Sequence, residues 1–241
     1  MRTTETAGTL VATARHAGVA EARGAIGRLV AAAVVVWGAL CAAGYVLTYP
    51  LHETTFERRD AWVNRWLAGH RDSTWNTVTH WLTYAAETLT VVAVGVVFFV
   101  GLRVALGRWR ESLFLAAALA GEVMIFLGTT VLIDRNRPAV SHLDDAPPTS
   151  SFPSGHTAAA LVLYGALAII ALRVTSRAWL RRLAVIVGVA MPLCVALARL
   201  YRGMHFPTDI LGGAVLGLAW LMIAWAIVLR RRRNEPKDAM P

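Results

Sequence analysis

Six long apolar runs constrain the fold of this chain more than any other feature of its sequence. Each run approaches the roughly 17–25 residues that a helix needs to cross the hydrocarbon core of a bilayer. Within that core a single segment satisfies its own backbone hydrogen bonds only as a helix. With 56% hydrophobic and 16% charged residues, the chain also lies outside the composition range of soluble domains. We therefore predict an all-α, polytopic membrane protein with six transmembrane helices, over residues 29–47, 82–102, 113–133, 157–174, 183–200 and 210–229.

The six spans leave little sequence for a second folded domain, and no period of about 20–50 residues recurs that would indicate a repeat protein. We expect a cytoplasmic N-terminal segment over residues 1–28, a membrane domain over residues 29–229 and a basic cytoplasmic tail over residues 230–241. The first apolar run exceeds the roughly 7–15 residues of the apolar region in a signal peptide. We therefore interpret it as an uncleaved anchor.

The basic residues are distributed unevenly between the two sides of the predicted membrane domain. With the N-terminus inside, 16 of the 24 Lys and Arg residues fall in inner segments, and the outer segments hold most of the acidic residues. Because short cytoplasmic loops accumulate positive charge, we predict cytoplasmic termini and a location in the plasma membrane. The net charge of +9 then reflects topology and a tail that faces anionic lipid. No nucleic-acid partner is expected.

The segment between the first two predicted spans carries an aromatic pattern. Because Trp favours the headgroup level of a bilayer, we interpret this segment as an amphipathic helix in the outer interface. The alternative is a direct role in substrate specificity. The residues that can share one helical face are Phe56, Ala61, Trp62, Trp66 and Leu67.

One acidic residue, Glu122, lies in the middle of the third predicted span. A charge at the centre of the bilayer costs about 2.5–3.5 kcal/mol on insertion scales. Glu122 should therefore face the bundle interior, either with a partner or in its protonated form. A structural hydrogen bond and a proton relay are both open for this residue, and we assign it no catalytic role.

Three stretches at the outer ends of predicted spans carry the residues with chemical potential. The first stretch ends the third predicted span at residues 130–140, and the third joins the fifth and sixth predicted spans at residues 196–213. The second, at residues 153–156, is a Pro-Ser-Gly-His turn, which favours a helix start. A helix start is a site for anions, because its backbone N–H groups are free and carry partial positive charge. Two histidines, a carboxylate and several arginines on one side of the membrane predict a phosphate site. These residues are Arg135, Arg137, Ser154, Gly155, His156, Arg199, His205 and Asp209.

A family resemblance is visible in the spacing of these residues. The chain resembles the phosphatidic acid phosphatase type 2 family of membrane lipid phosphatases in the pattern Arg137-Pro138, Pro153-Ser154-Gly155-His156, and Arg199 followed by His205 and Asp209. The resemblance covers roughly residues 113–229, and the six predicted spans match it. It implies a phosphatase-type helical core and a lipid phosphate as substrate.

The resemblance also implies a role for each residue. His205 is the expected nucleophile, which forms a phosphohistidine. Asp209 is expected to hold the other ring nitrogen of His205, as the carboxylate does in a catalytic triad. His156 is the expected general acid for the departing oxygen. The expected phosphate ligands are Arg137, Arg199, Ser154 and the backbone N–H groups of Gly155 and His156.

Two positions depart from the family pattern. Thr130 stands where the family has Lys, seven residues before Arg137, and Ala198 stands where it has Ser. One cationic and one hydroxyl contact to phosphate are therefore missing, and Thr130 offers the phosphate only a short hydroxyl. Arg135 and Arg202 are the candidates to supply the missing charge.

The sequence carries neither a Gly-Lys-Ser phosphate loop nor a carboxylate cluster with metal-ligand spacing, so we expect metal-independent catalysis without a cofactor. A site at the outer headgroup level favours a substrate whose tail stays in the bilayer. Phosphatidate, phosphatidylglycerophosphate and polyprenyl phosphate or diphosphate all fit. The alternatives are a non-catalytic lipid-phosphate binder or scaffold on the same fold, and a channel or transporter, which the lack of an inverted repeat disfavours. Nothing in the sequence indicates an oligomeric state.

Overall fold

The computed structural model describes residues 2–230, with side chains from residue 20 onward, and this part of the chain is helical without strands. Six of its helices are long and apolar enough to cross a membrane, which confirms the predicted all-α, six-span architecture. In chain order the helices are α1 (Arg2–Thr48), α2 (Thr55–Gly69), α3 (Ser73–Tyr84), α4 (Thr88–Leu106), α5 (Arg110–Leu132), α6 (Gly155–Val174), α7 (Ala178–Tyr201) and α8 (Pro207–Ala224), and a π-helical turn follows at Trp225–Leu229.

The boundaries of the first two spans differ from the prediction. Helix α1 is already helical at Arg2, and its candidate span begins at Ala20, ahead of residue 29. The second span begins at Thr88 and not at residue 82, because residues 82–84 belong to α3 and Glu87 is the N-cap of α4. Apart from residue 230, the predicted tail lies outside the described residues. The limits of both terminal segments stay predictions.

Helix α6 lies at the centre of the bundle and packs against α5, α7 and α8. Its buried Val162 joins Phe114 of α5 in the main apolar core, and Glu122 of α5 is also buried, at 2% exposure, as predicted. Helix α8 approaches the start of α6 closely at Gly213, where a Cβ atom would lie 2.3 Å from the carbonyl oxygen of Ser154. Glycine at this position thus allows the starts of α6 and α8 to lie side by side.

The alternating directions of the spans bring six helix ends to one end of the bundle. These are the C-termini of α1, α5 and α7 and the N-termini of α4, α6 and α8. Helix α2 packs against α7 and α8 at the same end, and α3 packs against α7. The link from α7 to α8 is tight, and Gly203 adopts a φ of 77°, which favours glycine. All three stretches with predicted site residues therefore lie at this end.

Helix α2 is amphipathic, as predicted, but its polar face packs on the protein. Asp60 and Asn64 lie four residues apart on one face and are 7% and 0% exposed, whereas Trp62 and Trp66 are 58% and 49% exposed. An outward aromatic face suits the headgroup level of a bilayer, although the interfacial position itself stays a prediction. The buried polar face brings α2 into contact with the candidate site.

Candidate active site

His205 lies in the short link between α7 and α8 and is 4% exposed. Its Nδ1 is 2.7 Å from the carbonyl oxygen of Ser151. Because a carbonyl oxygen only accepts hydrogen bonds, Nδ1 carries the proton, and Nε2 of the neutral ring keeps its lone pair. Burial lowers the pKa of His205 and so favours the neutral ring. The resulting imidazole has an Nε2 atom suited to nucleophilic attack.

Asp209 does not make the hydrogen bond to the His205 ring that was expected from the sequence. Its Oδ2 lies 3.8 Å from Nδ1, which is ion-pair range for a protonated ring but too long for a hydrogen bond. The carboxylate instead accepts from the backbone N–H of Phe206 at 2.8 Å and from Arg135 at 2.5 Å. Asp209 is the third residue of α8, where a carboxylate satisfies the free N–H groups of a helix start. The carbonyl of Ser151 orients the ring in its place.

Arg135 lies buried between two carboxylates. Its Nη2 is 3.0 Å from Oδ2 of Asp60, and its Nη1 is 2.5 Å from Oδ1 of Asp209. Its guanidinium carbon also lies 4.5 Å from the centre of the Phe206 ring. Two negative charges thus surround one positive charge. These ion pairs join α2 to α8, and the contact of Arg135 with phosphate stays a prediction.

The Pro-Ser-Gly-His turn opens α6 at Gly155, as predicted. The N–H of Ser154 donates to the carbonyl oxygen of Asp209 at 2.9 Å, which ties the start of α6 to the start of α8. The Ser154 hydroxyl is buried and lies 3.0 Å from the hydroxyl of Thr157. Within the described residues no side chain caps this helix start. The backbone N–H groups of its first turn therefore remain available to an anion.

Four of the predicted residues, contributed by separate segments of the chain, form one electropositive cluster. His156 is close enough to Arg137, Arg199 and His205 to interact with each of them electrostatically. His205 interacts in the same way with both arginines. We call these four residues the phosphate cluster.

The two arginines of the phosphate cluster are only partly engaged. Arg137 donates from Nη1 to the carbonyl oxygen of Met204 at 2.8 Å, and Arg199 donates from Nη1 to Asp144 at 2.8 Å. In both side chains the Nε atom is buried and has no hydrogen-bond partner among the described residues. Buried N–H groups in proteins are nearly always paired, so two unpaired donors in one positive cluster are suited to an anion.

Asp144, in the segment between α5 and α6, is a site residue that sequence reasoning missed. Its carboxylate accepts from Arg199 and from Nε of Arg202, each at 2.8 Å. Burial alone would raise the pKa of Asp144, but the hydrogen bond from Arg202 and the charges of both arginines lower it overall. Arg202 also donates to the carbonyl oxygen of Leu143 at 2.7 Å. Its guanidinium is therefore already engaged by protein groups and is not a free cation in this structure. No motif spacing distinguishes Asp144 from its neighbour Asp145.

Asp60 and Asn64 of α2 were also missed. The available signal was their spacing of four residues on a helix with tryptophans on its other face, because that spacing puts both side chains on one side. The sequence interpretation concerned the aromatic face of this helix, whose Trp62 and Trp66 are exposed in the structure, and assigned no role to the polar face. In the structure that face meets the segment that carries His205, through a hydrogen bond from Asn64 to the His205 carbonyl oxygen.

The two departures from the family pattern add neither a cation nor a hydroxyl to the phosphate cluster. The hydroxyl of Thr130 donates to the carbonyl oxygen of Leu127 in its own helix at 3.0 Å. Ala198 is 1% exposed within α7. The role of Thr130 as a phosphate ligand stays a prediction.

One cavity adjoins the phosphate cluster, and a second shares a lining residue with it. The first has a volume of about 940 Å³ and a charged lining that includes Arg58, Asp134 and Arg137. The second is a groove of about 690 Å³ between α1 and α8, and among the described residues Thr208 is the one polar residue in its lining. Leu47 lines both. A charged cavity that reaches Arg137 and an apolar groove therefore meet at Leu47.

The phosphate cluster falls within a region that matches a known family. A family model described as PAP2 superfamily matches residues 111–233, just over half of the chain. The chain belongs to the PAP2 superfamily. The PAP2 match includes all four residues of the phosphate cluster but excludes α2 with Asp60 and Asn64.

Comparison with individual proteins agrees with the PAP2 assignment. The fold is similar to the crystal structure of a transmembrane PAP2-type phosphatidylglycerolphosphate phosphatase from Bacillus subtilis, with a TM-score of 0.70 and 21% sequence identity, over 86% of this chain and 99% of that chain. The bacitracin transport permease protein BcrC of Bacillus licheniformis is 26% identical over 149 residues, which is 61% of this chain and 61% of that protein. The resemblance expected from the sequence is therefore confirmed for family and fold.

Proposed function

We propose that this PAP2 protein is a membrane lipid phosphatase that removes phosphate from a lipid phosphomonoester or diphosphate through a phosphohistidine. The observation that carries this proposal is the position of His205, with its free Nε2, beside His156 and two arginines with unpaired buried donors. A phosphate bound there meets a nucleophile, a proton donor and two cations. Arginine forks pair well with phosphate oxygens, and they stabilise the charge of the transition state.

The reaction we propose has two steps. In the first, Nε2 of His205 attacks phosphorus, the bond from phosphorus to the leaving oxygen breaks, and His156 gives its proton to that oxygen. The ring of His205 becomes positive, which the Ser151 carbonyl and the nearby Asp209 carboxylate favour. In the second step a water molecule attacks the phosphorus of the phosphohistidine and gives a proton to His156. The bond from Nε2 to phosphorus breaks, its electron pair returns to Nε2 of His205, and phosphate is released.

A lipid is favoured as the substrate because the charged cavity at Arg137 and the apolar groove that meets it at Leu47 differ in character. The charged cavity suits a polar headgroup, and the apolar groove between α1 and α8 suits a hydrocarbon tail. Volumes of about 300–1,000 Å³ are usual for ligand sites. Phosphatidate, phosphatidylglycerophosphate and polyprenyl phosphate or diphosphate all combine a phosphate with such a tail.

The proposal also includes the outer face of the plasma membrane as the location of the site. It is supported by the charge distribution, since the basic loops lie at the end of the bundle opposite the phosphate cluster and basic loops stay in the cytoplasm. Both termini are then cytoplasmic.

Catalysis without a metal is a further part of the proposal. Among the side chains described, from residue 20 to residue 230, no group of three His, Cys, Asp or Glu is positioned to hold a metal ion. The guanidinium groups of Arg137 and Arg199 supply positive charge to the site instead.

A second candidate function is a lipid-phosphate binder that does not turn its ligand over. Thr130 and Ala198 favour it, because each removes a phosphate contact that the family pattern contains. The two histidines and Asp209 favour the enzyme.

Phosphate release by the purified protein in detergent distinguishes the two functions. We expect phosphate release from at least one lipid phosphate in a panel of the four substrates. Excess chelator should leave the rate within about twofold of the untreated protein, and vanadate should inhibit it. His205→Ala is the control for contaminating phosphatases. Binding of lipid phosphates with no release above this control would establish the binder, and a rate that requires added magnesium would refute metal independence.

A further inference from the structure

Helix α2 belongs to the part of the chain that the family match does not cover, yet it contacts the nucleophile directly. Nδ2 of Asn64 donates to the backbone carbonyl oxygen of His205 at 2.9 Å. The ring of His205 is held separately by Ser151. The nucleophile is therefore anchored at its backbone by α2 and at its ring by the segment before α6.

Asn64 is not explained by stability alone. Its side chain is fully buried, and its Oδ1 atom has no hydrogen-bond partner among the described residues. A buried acceptor without a partner destabilises a fold. An apolar residue of similar size would avoid that cost but would leave the buried His205 carbonyl oxygen without its donor, so the net contribution of Asn64 to stability is small.

Asp60, one helical turn before Asn64, binds the start of α8, which follows the link that carries His205. Its Oδ1 accepts from the backbone N–H of Thr208 at 3.2 Å, and its Oδ2 accepts from the Thr208 hydroxyl at 2.5 Å and from Arg135 at 3.0 Å. Arg135 in turn binds Asp209. One face of α2 thus holds the chain from His205 to Asp209 along its length.

We propose that Asn64 and Asp60 are positioning residues, which act through His205 and the start of α8 to aim Nε2 at the phosphorus atom. The proposal rests on the proposed phosphatase function and deepens it. A nucleophile must approach phosphorus in line with the leaving oxygen, and a misplacement of about 1 Å can lower a rate on the order of a hundredfold. His205 lies in a link between helices and not within one, so its aim depends on contacts of this kind.

The decisive variant is Asn64→Leu, which removes the donor and the unpaired acceptor at similar volume. We expect kcat to fall at least tenfold, KM to stay within twofold and Tm to change little, because removal of the unpaired Asn64 acceptor offsets the loss of the donor to the His205 carbonyl oxygen. Phosphoenzyme formation in a single turnover should slow by the same factor as kcat. A purely structural role predicts instead that Tm and activity fall together.

Arg71→Ala is the matched control for the docking of this region. Arg71 lies just after α2 and donates to the carbonyl oxygens of Tyr201 and Ser141 at 2.9 and 2.7 Å, away from the segment from His205 to Asp209. We expect this variant to lower Tm and to leave kcat within twofold. An equal loss of kcat in Arg71→Ala and Asn64→Leu would overturn the proposal, as would a kcat of Asn64→Leu within twofold of the parent.

Asp60→Asn is the second variant, and it decides the question if Asn64→Leu does not fold. It keeps the shape and an acceptor for Thr208 but removes the charge opposite Arg135. We expect a tenfold loss of kcat with KM unchanged and partial recovery in Asp60→Glu. A kcat within twofold of the parent would refute the role of α2. Because the parent must release phosphate in the same assay, failure of the phosphatase function is recognised separately.

Discussion

The imidazole of His205 hydrogen-bonds through Nδ1 to the carbonyl oxygen of Ser151, at 2.7 Å. Three residues later, the N–H of Ser154 donates to the carbonyl oxygen of Asp209. The segment that opens α6 and carries His156 is thus joined at two points to the segment that carries His205 and Asp209. The proposed acid and the proposed nucleophile therefore keep a fixed relation to each other.

His205→Asn should abolish turnover and keep the fold, whereas His205→Ala should abolish turnover and lower Tm. The side-chain amide of Asn can donate to the Ser151 carbonyl as Nδ1 does, but neither variant has a nucleophilic nitrogen. Leaving a buried carbonyl without its donor costs about 1–3 kcal/mol. Phosphate release and thermal unfolding check both statements, and an acid-labile phosphoenzyme should form only in the parent. Turnover by either variant would rule out His205 as the nucleophile.

Asp144→Asn should lower stability at neutral pH and not at acid pH. The pKa of Asp144 in the folded protein lies below the usual 3.8, so the carboxylate stabilises the fold above the unfolded pKa. That contribution is lost as the pH falls through the lower folded pKa. At pH 7 we expect a loss of about 3 kcal/mol, the low end for a broken buried pair, because the Asp144 side chain is 20% exposed. The difference in Tm between parent and variant should begin to shrink as the pH falls below 3.8 and should disappear only below the folded pKa. A constant difference would contradict this origin.

Thr130→Lys tests the departure from the family pattern. Thr130 lies seven residues before Arg137 near the end of α5, and its hydroxyl is bonded to its own helix. A lysine can extend a point charge toward the phosphate cluster. A charge-assisted hydrogen bond is worth about 1.5–3 kcal/mol, or roughly one to two decades in rate. We expect a higher kcat/KM or a changed preference between monophosphate and diphosphate, and kinetics within twofold on both would show that an arginine already serves this role.

Val215→Trp should impair long-chain substrates only. Val215 of α8 lines the apolar groove and is 51% exposed. A tryptophan there fills the groove, so KM for a long-chain lipid phosphate should rise at least fivefold while a short-chain phosphate is unaffected. Leu218→Trp is the matched control, since Leu218 is 55% exposed on the same helix and outside the groove lining. Equal effects of both variants would mean that the tail binds elsewhere.

Cysteine labelling checks the topology. In a background of Cys41→Ala and Cys194→Ala, Ala146→Cys should react with a membrane-impermeant thiol reagent added to intact cells, and Ser176→Cys should not. Both positions are exposed, at opposite ends of the bundle. The reverse labelling would put the phosphate cluster on the cytoplasmic side.

From the sequence alone we predicted the six spans, the helix start at Gly155 and, within a larger set of candidates, the four residues of the phosphate cluster. Apolar length, turn residues and motif spacing are properties of neighbouring residues, so they can be read without coordinates. Among the misplaced span starts, the one at residue 82 for Thr88 lies where α3 ends and α4 begins within a few residues. Only residues 85–87 separate the two helices, which is too short a break to interrupt the apolar pattern of the sequence.

The groups that orient the His205 ring and that neutralise the charge of Arg199 could be identified only from the tertiary structure. Ser151 and not Asp209 holds the ring of His205, and Asp144 binds Arg199, across separations of 54 and 55 residues. Asn64 reaches His205 across 141 residues. A backbone carbonyl has no sequence signature, and a buried carboxylate or amide looks like a solvated one until its partner is known. Such contacts arise from how the helices pack at one end of the bundle, which no local pattern encodes.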